Sequence, residues 1–208
     1  MLMIKQGVDL SRWNIVTDYK QVKKQDISFA ILKAGGSENG MFKDRLFETH
    51  YKGCKDAKID VGAYFYAGRD FITSARGLEA ARYFESIIAT KQFEMPVYID
   101  IEEPATVYKK GITDACIAFC EYMESKGYYV GIYGSDVSSF SSRLELSRLK
   151  KFDKWVARYG LKPVYVKEYG IWQKSSKGVI EGINGKVDLD ESYKDYKKIM
   201  KNKHLNGY

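Results

Sequence analysis

The sequence predicts a single small α/β barrel. Three observations support this prediction: strand-like segments alternate with helical ones, about eight strands fit within 208 residues, and acidic residues recur where strands end. With 45% hydrophobic residues, the chain can bury one sizeable core. Segments rich in β-branched and aromatic residues predict strands at 4–10, 28–34, 61–67, 95–102, 129–134, 154–159, 169–174 and 186–190.

Helical segments separate most of the early strands, which favours a parallel barrel. They are predicted at 17–25, 43–58, 73–90, 112–126 and 143–150. Because the helical segments become short or disappear after 150, we expect helices to be reduced or missing in the last third. We expect one barrel domain over 1–190, followed by a C-terminal helix and polar tail over 191–208 that form no separate domain.

The chain is basic, with a formal net charge of +7. A surface of this kind suits polyanions such as nucleic acid, anionic lipid or an anionic cell wall. No nucleic-acid-binding motif accompanies the charge, so a solvated lysine-rich surface is favoured over nucleic-acid binding. No apolar run is long enough for a membrane span, and Met1–Lys5 lead into a strand without the pattern of a signal peptide.

Cysteine and histidine usage disfavours several classes of enzyme. The three cysteines are odd in number and do not suggest a disulfide framework. His50 and Cys54 are one helical turn apart, which allows a base–nucleophile pair, although the aromatic residues around Cys54 favour a buried thiol. His204 is the only other histidine, so a histidine-dependent triad or zinc site has few candidates. The glycine-rich segment 34–40 has neither dinucleotide-binding nor Walker spacing.

One strand carries two acids on the same face. Val97, Ile99 and Ile101 alternate with Asp100 and Glu102, which are separated by roughly 6.5–7 Å of strand rise. Neighbouring carboxylates repel, so one of them should keep its proton to a higher pH. A protonated acid beside an ionised one is what cleavage of a glycosidic bond requires. The alternative is a solvated strand end.

Two further acids lie on predicted strands, Asp9 on the first and Asp188 on the last. In a barrel, the carboxyl ends of the strands carry the chemistry, so we expect three strands to bring acids to one end. Tyr64 and Tyr66 share a strand face, and Tyr133 lies on another strand. These rings suit either sugar stacking at the barrel mouth or plain packing.

The order of these motifs resembles glycoside hydrolase family 25. The motifs that carry the resemblance are Gly7–Ser11, Phe29–Ala34, Gly62–Tyr64, Tyr98–Glu102, Trp155–Tyr159, Trp172–Val179 and Gly182–Asp190. Together they span 7–190. Two positions depart from the pattern of many relatives: Phe65 stands where they have histidine, and Gly35-Gly36 replaces Thr-Glu or Thr-Gln. These departures concern the fine-tuning of substrate recognition.

The resemblance implies an irregular barrel and assigns roles to the acids. Glu102 would be the general acid, Asp100 its partner, and Asp9 and Asp188 would complete the acidic site. The expected substrate-binding residues, which include Tyr66 from its place on the strand face, are Lys33, Tyr64, Tyr66, Tyr133, Trp155 and Gln173. Since Asp100 and Glu102 lie on one side, we expect substrate-assisted cleavage with retention; Asp9 as base for direct water attack is the alternative.

The activity that the resemblance implies is that of a lysozyme. Such an enzyme cleaves the β-1,4 bond between N-acetylmuramic acid and N-acetylglucosamine in peptidoglycan, without a metal or organic cofactor. We expect a monomer whose basic surface also favours anionic wall polymers. A non-catalytic glycan-binding barrel and a glycosidase for chitin-like chains are the alternatives. The location stays open between the host cytoplasm, for a phage lysin, and secretion to the wall.

Overall fold

A computed structural model describes residues 4–103 and 108–208. Met1–Met3, which were considered above as part of a possible signal peptide, lie outside the described residues. Within these residues the strands are β1 (Lys5–Leu10), β2 (Ile15–Val16), β3 (Ile27–Gly36), β4 (Phe42–Lys43), β5 (Asp60–Tyr66), β6 (Val97–Asp100), β7 (Val130–Ser135), β8 (Asp153–Ala157), β9 (Ile171–Gly178), β10 (Ile183–Asn184) and β11 (Val187–Ser192). The α-helices are α1 (Tyr19–Lys24), α2 (Phe47–Asp56), α3 (Ser74–Ile88), α4 (Lys109–Ser125) and α5 (Tyr196–Lys203).

Eight strands close into a barrel. Their order is β1-β3-β5-β6-β7-β8-β9-β11, and β11 pairs with β1 to complete the ring. Each of the eight predicted strand segments corresponds to one of these barrel strands, which confirms the predicted fold class. The short β4 adds to the edge of β3, and β2 pairs with β10 outside the barrel.

The barrel is mixed, which corrects the expectation of a wholly parallel one. Neighbouring strands pair in parallel along the part of the ring that runs β1-β3-β5-β6-β7-β8-β9. The remaining strand, β11, is antiparallel to both β9 and β1. Only residues 179–186 connect β9 to β11, and a parallel return needs a crossover of about a dozen residues or more. Asp188 therefore lies near the start of its strand, not at the carboxyl end as the sequence suggested.

The helices follow the predicted positions until the last third. Asp18 caps α1, and the Thr73 hydroxyl accepts from the Arg76 N–H at the start of α3. The helix predicted at 143–150 is wrong in type, because only a short 3₁₀ turn forms at Leu146–Leu149. A π-helix at Asp136–Ser141, absent from the prediction, follows β7. No helix within the described ranges has the length and apolar character needed to cross a membrane.

Apolar side chains form two cores, one on each side of the barrel wall. Val97, Ile99 and Ile101 belong to the outer core, between the strands and the helices. The inner core fills the barrel with aromatic side chains such as Tyr98 and Trp155, and α5 contributes Tyr196 and Met200 to it. The period-two pattern of β6 is thus confirmed: Asp100 shares its face with Tyr98 and points inward.

The cysteines and His50 are structural. Cys54, Cys116 and Cys120 are fully buried and unpaired, and burial raises the pKa of the Cys54 thiol to about 12. His50 Nε2 donates to the Ser11 carbonyl at 3.2 Å, and Nδ1 accepts from the Tyr19 hydroxyl at 2.8 Å. Because both ring nitrogens are engaged elsewhere, the structure does not form the Cys54–His50 nucleophile–base pair.

Candidate active site

The barrel brings the predicted acids to one mouth. Asp100 ends β6, and Glu102 follows two residues later. Asp9 and Asp188 are register partners on the antiparallel pair β1–β11, so the reversed strand still brings its acid to the same end. Tyr133 is the register partner of Asp100 on β7. Closure of the barrel therefore places acids from three strands around a single opening.

A chain of hydrogen bonds joins Glu102 to Asp9 across this mouth. The Tyr133 hydroxyl lies 3.2 Å from Glu102 Oε1 and 2.9 Å from Gln173 Oε1. Gln173 Nε2 donates to Asp9 Oδ2 at 2.8 Å. Tyr159, whose ring is exposed at the rim, also donates to Gln173 Oε1 at 3.3 Å. Two of the acids are thus connected through one tyrosine and one amide.

The Tyr133 hydroxyl lies between two acceptors. Gln173 presents its N–H to Asp9, so its Oε1 accepts, and the hydroxyls of Tyr133 and Tyr159 both lie within donating distance of it, at 2.9 Å and 3.3 Å. A hydroxyl has one proton to donate, and Tyr159 can satisfy the Gln173 oxygen when Tyr133 donates to Glu102 Oε1. Donation by Tyr133 stabilises the ionised form of Glu102 and so opposes the rise of its pKa.

Burial favours the neutral forms of Asp100 and Glu102. Asp100 is 3% exposed, and its Oδ1 has no hydrogen-bond partner among the described residues. Desolvation and then the charge of Glu102 hold the pKa of Asp100 well above its usual value, against the attraction of Lys33. The Glu102 side chain reaches solvent, yet partial desolvation still raises its pKa, opposed by Tyr133, Lys33 and Arg143.

A fifth acid, Asp190, was not assigned from the sequence. It is fully buried beneath the mouth, and Trp155 Nε1 donates to its Oδ1 at 2.7 Å. Burial raises its pKa to about 8, and burial with the charge of Glu102 raises the pKa of Asp188 to about 6. Desolvation, and then the charges of Asp190 and Asp188, raise the pKa of Asp9. The period-two spacing from Asp188 was the available signal.

The predicted substrate-binding residues divide into rim and floor. Lys33 is buried, with Nζ 3.6 Å from Glu38 Oε1 and 4.2 Å from the centroid of the Tyr66 ring. The Tyr66 hydroxyl donates to Glu103 at 3.3 Å, beside the acids. Trp155 is 1% exposed and packs edge-on against Tyr64, so these two rings lie under the site. Their faces are covered by protein, which favours support of the acids over direct stacking on a sugar.

The described residues contain no group of three or more His, Cys, Asp or Glu side chains arranged to hold a metal ion. With carboxyls of different ionisation converging on it, the mouth can perform proton transfer and electrostatic stabilisation. One acid that keeps its proton, next to acids that share a limited number of protons, is the requirement for acid-catalysed cleavage of an acetal.

An α/β barrel with converging carboxyls at its mouth defines the class of acid-dependent glycosidases. The chain belongs to the glycosyl hydrolases family 25, whose family model matches residues 8–183. This membership confirms the resemblance drawn from the ordered motifs, and it covers most of the 208 residues.

Individual relatives agree with the family. The chain is 27% identical over 187 residues to the autolytic lysozyme of Clostridium acetobutylicum, covering 89% of this chain and 55% of that protein. It therefore spans about half the length of that relative. Among solved structures, it is similar to the CTP1L endolysin, with a TM-score of 0.82 and 28% identity over 95% of this chain and 70% of the other.

A second solved structure matches over nearly its full length. It is a bacterial lysozyme from Streptomyces coelicolor, with a TM-score of 0.78 and 27% identity over 91% of this chain and 92% of that chain. The irregular mixed barrel is thus the fold that this chain shares with a lysozyme of similar size.

Proposed function

We propose that this protein is a peptidoglycan hydrolase that cleaves the β-1,4 bond between N-acetylmuramic acid and N-acetylglucosamine. The observation that carries the proposal is the hydrogen-bonded chain Glu102–Tyr133–Gln173–Asp9 at the mouth of a family 25 barrel. The chain connects Glu102, whose pKa is raised by partial desolvation, to a second acid, Asp9.

Glu102 is the general acid in this proposal. Its side chain is the exposed one of the adjacent pair, so it can reach the glycosidic oxygen, while Asp100 is 3% exposed. Glu102 transfers its proton to that oxygen as the bond to C1 breaks. The resulting carboxylate then attracts the proton of the Tyr133 hydroxyl, which stabilises the charge that the transfer leaves behind.

Asp100 is the electrostatic partner. Desolvation holds the pKa of Asp100 high in the free protein, but a neutral Glu102 exerts no repulsion on it. Lys33 and the positive charge that develops on the substrate then both favour its carboxylate form. The substrate's 2-acetamido oxygen attacks C1 as the leaving group departs, and Asp100 stabilises the positive charge on the acetamido nitrogen. Water then opens the cyclic intermediate and gives its proton to Glu102, which restores the acid. The net configuration at C1 is retained.

Asp9 and Asp188 complete the acidic site and contact the saccharide. Asp9 is held by Gln173 and has a raised pKa, whereas Asp188 is only half-buried. Lys33, Tyr66 and Tyr133 belong to the walls of the groove. All of these residues come from one chain, so a monomer contains the complete site. Anionic wall polymers are proposed as a second class of partner, attracted by the net charge of +7.

Mass spectrometry of a digest of purified peptidoglycan tests the proposed bond. We expect fragments whose new reducing end is N-acetylmuramic acid, and no such fragments with the Glu102→Gln variant. New N-acetylglucosamine reducing ends would place the cut at the other bond. Binding without fragments would make the chain a glycan-binding barrel, and cleavage of chitooligosaccharides at a greater rate than peptidoglycan would identify a chitin-type enzyme. Any of these three results contradicts the proposal.

A further inference from the structure

A lysine-rich groove lies at the end of the barrel opposite the acids. Its central cavity has a volume of about 570 Å³. Asp153 begins β8, Tyr129 precedes β7, and Tyr193 follows the reversed β11, so this is the pole where the parallel strands begin. The charged residues that line the cavity are Lys150, Lys151, Lys154, Lys162, Lys167, Lys194, Asp153 and Glu168. Lysines therefore outnumber carboxylates by three to one.

The groove is elongated. A neighbouring cavity of about 380 Å³ shares Lys150, Lys154 and Lys167 with the central one. Another, of about 410 Å³, shares Lys151 and extends to Lys203. Since each neighbour shares lining residues with the central cavity, the three form one path with lysines along its length. The third cavity also contains a carboxylate, Glu124, 3.6 Å from Lys151. A path of this shape fits an extended chain better than a single small anion.

Several of the ammonium groups are available for a ligand. Lys151 is paired with Glu121 at 3.0 Å, and Lys194 with Asp153 at 2.9 Å. In contrast, Lys150, Lys162 and Lys167 form no ion pair within the described part of the chain, and their side chains are exposed. These three side chains contribute positive charge that no protein carboxylate within 4 Å neutralises.

Lys154 adds a built, buried donor. It is 7% exposed, and its ammonium donates to the carbonyls of Leu149 at 3.2 Å and Phe152 at 2.8 Å. An ammonium has three N–H donors, so one is left for a ligand in the groove. Desolvation lowers the pKa of Lys154, and an anion held there would favour its charged form.

The aromatic residues that line the central cavity disfavour nucleic acid as its occupant. Binding of single strands uses exposed ring faces on which bases stack. Here Tyr169 packs edge-on against Tyr193 at 5.6 Å, and Lys162 lies 5.7 Å from the centroid of the Tyr193 ring. Tyr129 likewise packs against Tyr196 at 5.8 Å. The lining contains no arginine, the residue that best recognises base edges and paired phosphate oxygens.

We propose that this groove binds a linear phosphodiester polymer without bases, of the polyol-phosphate kind found in anionic cell walls. Phosphates along the polymer contact the unpaired lysines and Lys154, while the catalytic mouth at the opposite pole stays free for the glycan. The assignment of the polymer to the wall rests on the proposed muramidase function. Retention of the polymer itself requires only the groove, so the two proposals fail separately.

The test uses a fluorescently labelled glycerol-phosphate oligomer and its dissociation constant by anisotropy between about 50 and 200 mM salt. The groove variant combines Lys150→Gln, Lys162→Gln and Lys167→Gln. We expect it to bind about tenfold or more weakly, and to lower the slope of log affinity against log salt by about one for each lysine removed. A matched control combines Lys20→Gln, Lys23→Gln and Lys24→Gln on α1, which packs against β3 across the barrel from β8. It loses the same charge and should keep most of the affinity.

Three results would overturn the proposal. Equal losses in the two triple variants would mean that net charge alone attracts the polymer. A groove variant with unchanged affinity and salt slope would place the binding elsewhere. A thymidine oligonucleotide of equal charge that binds the groove more tightly than the glycerol-phosphate oligomer would make the occupant a nucleic acid.

Activity on polymer-free peptidoglycan separates this proposal from the proposed function. The groove variant should digest such material at the wild-type rate, because none of the three lysines belongs to the mouth. It should be slower than wild type only on walls that retain their phosphate polymer. If wild type bound the oligomer but cut no glycan, the muramidase proposal would fail while the groove remained. A groove variant equally fast on both kinds of wall would contradict a role in wall attachment.

Discussion

Gln173 donates its amide N–H to Asp9 Oδ2 at 2.8 Å, although the two residues are 164 positions apart. The same amide accepts from the Tyr133 hydroxyl at 2.9 Å, which in turn contacts Glu102. The Tyr133 hydroxyl thus lies between the Gln173 amide and the Glu102 carboxyl. Gln173 and Tyr133 together connect Glu102 to Asp9.

Replacement of the proposed acid should abolish most of the activity. Glu102→Gln keeps the size of the side chain but removes the transferable proton, and general acid catalysis contributes about 10²–10⁴-fold. We expect the rate of wall lysis to fall by that order with an unchanged circular dichroism spectrum. Glu103→Gln is the matched control at the next position, where the carboxylate pairs with Arg69 at 2.6 Å, and it should retain near-normal activity. Normal lysis by a folded Glu102→Gln variant would remove Glu102 from its role.

The Tyr133 hydroxyl should influence the pH profile. As a donor it stabilises ionised Glu102, so its removal in Tyr133→Phe should raise the pKa of Glu102 further. The acid must be protonated to act, and activity declines as the pH rises through that pKa. The alkaline limb of kcat against pH should therefore move to higher pH in the variant. Tyr159→Phe is the control, because that hydroxyl contacts Gln173 and not Glu102. A limb that moves to lower pH would contradict the network.

The supporting acids should act as one unit with Glu102. Asp9→Asn and Asp188→Asn should each lower kcat/KM by about 10²-fold, the order seen when one preorganised electrostatic group is removed. Because these residues share one site, either change combined with Glu102→Gln should cost less than the sum of the separate losses in activation free energy. Double-mutant cycles measure the difference. Additive losses would show that the acids do not cooperate on one substrate.

Asp190 should make the folded state less stable at alkaline pH. Its pKa is about 8 when folded, above the ordinary value of 3.8, so between these values the folded state binds more protons than the unfolded state. The contribution of Asp190 to the free energy of unfolding is complete below about pH 4 and is lost as the pH rises to about 8. Asp190→Asn can still accept from Trp155 and carries no charge. Relative to wild type, the variant should therefore gain stability as the pH rises from about 5 to about 9. Urea unfolding at the two pH values measures the change.

Asp136 provides a control of opposite sign. It is buried, but the backbone N–H groups of Val164 and Val166 and the Arg158 guanidinium outweigh desolvation and lower its pKa. The contribution of Asp136 to the free energy of unfolding is present above its ordinary pKa. That contribution is lost as the pH falls through the lowered pKa of the folded state. Asp136→Asn should therefore lose stability at neutral pH. If Asp190→Asn instead showed the same profile as Asp136→Asn, the assignment of Asp190 as a buried neutral acid would be wrong.

The stereochemical outcome distinguishes the two proposed roles of the acids. Substrate-assisted cleavage retains the anomeric configuration, so the β-anomer should appear first in proton NMR of fresh product. Direct attack by water with Asp9 as base would invert the configuration and give the α-anomer first. An additional check is a substrate that lacks the 2-acetamido group, which should not be cleaved if that group is the nucleophile. First appearance of the α-anomer would decide for Asp9.

Local patterns in the sequence determined most of the strands and the faces they present. Alternation at period two was sufficient to separate Val97 and Ile99 from Asp100, because successive side chains of a strand point to opposite sides. The same rule could have identified Asp190 from Asp188. The ordered motifs also led to the correct family, whose model matches residues 8–183.

Tertiary structure decided the direction of β11, the connection from Asp9 to Gln173 and the continuity of the lysine groove. Each depends on groups far apart in the chain that meet only when the barrel closes. The short link before β11 forces an antiparallel return, yet this return is what puts Asp188 beside Asp9. The ionisation of the acids was beyond local sequence for the same reason: desolvation and hydrogen bonding depend on which distant side chains surround a carboxyl, and closure of the barrel determines these neighbours.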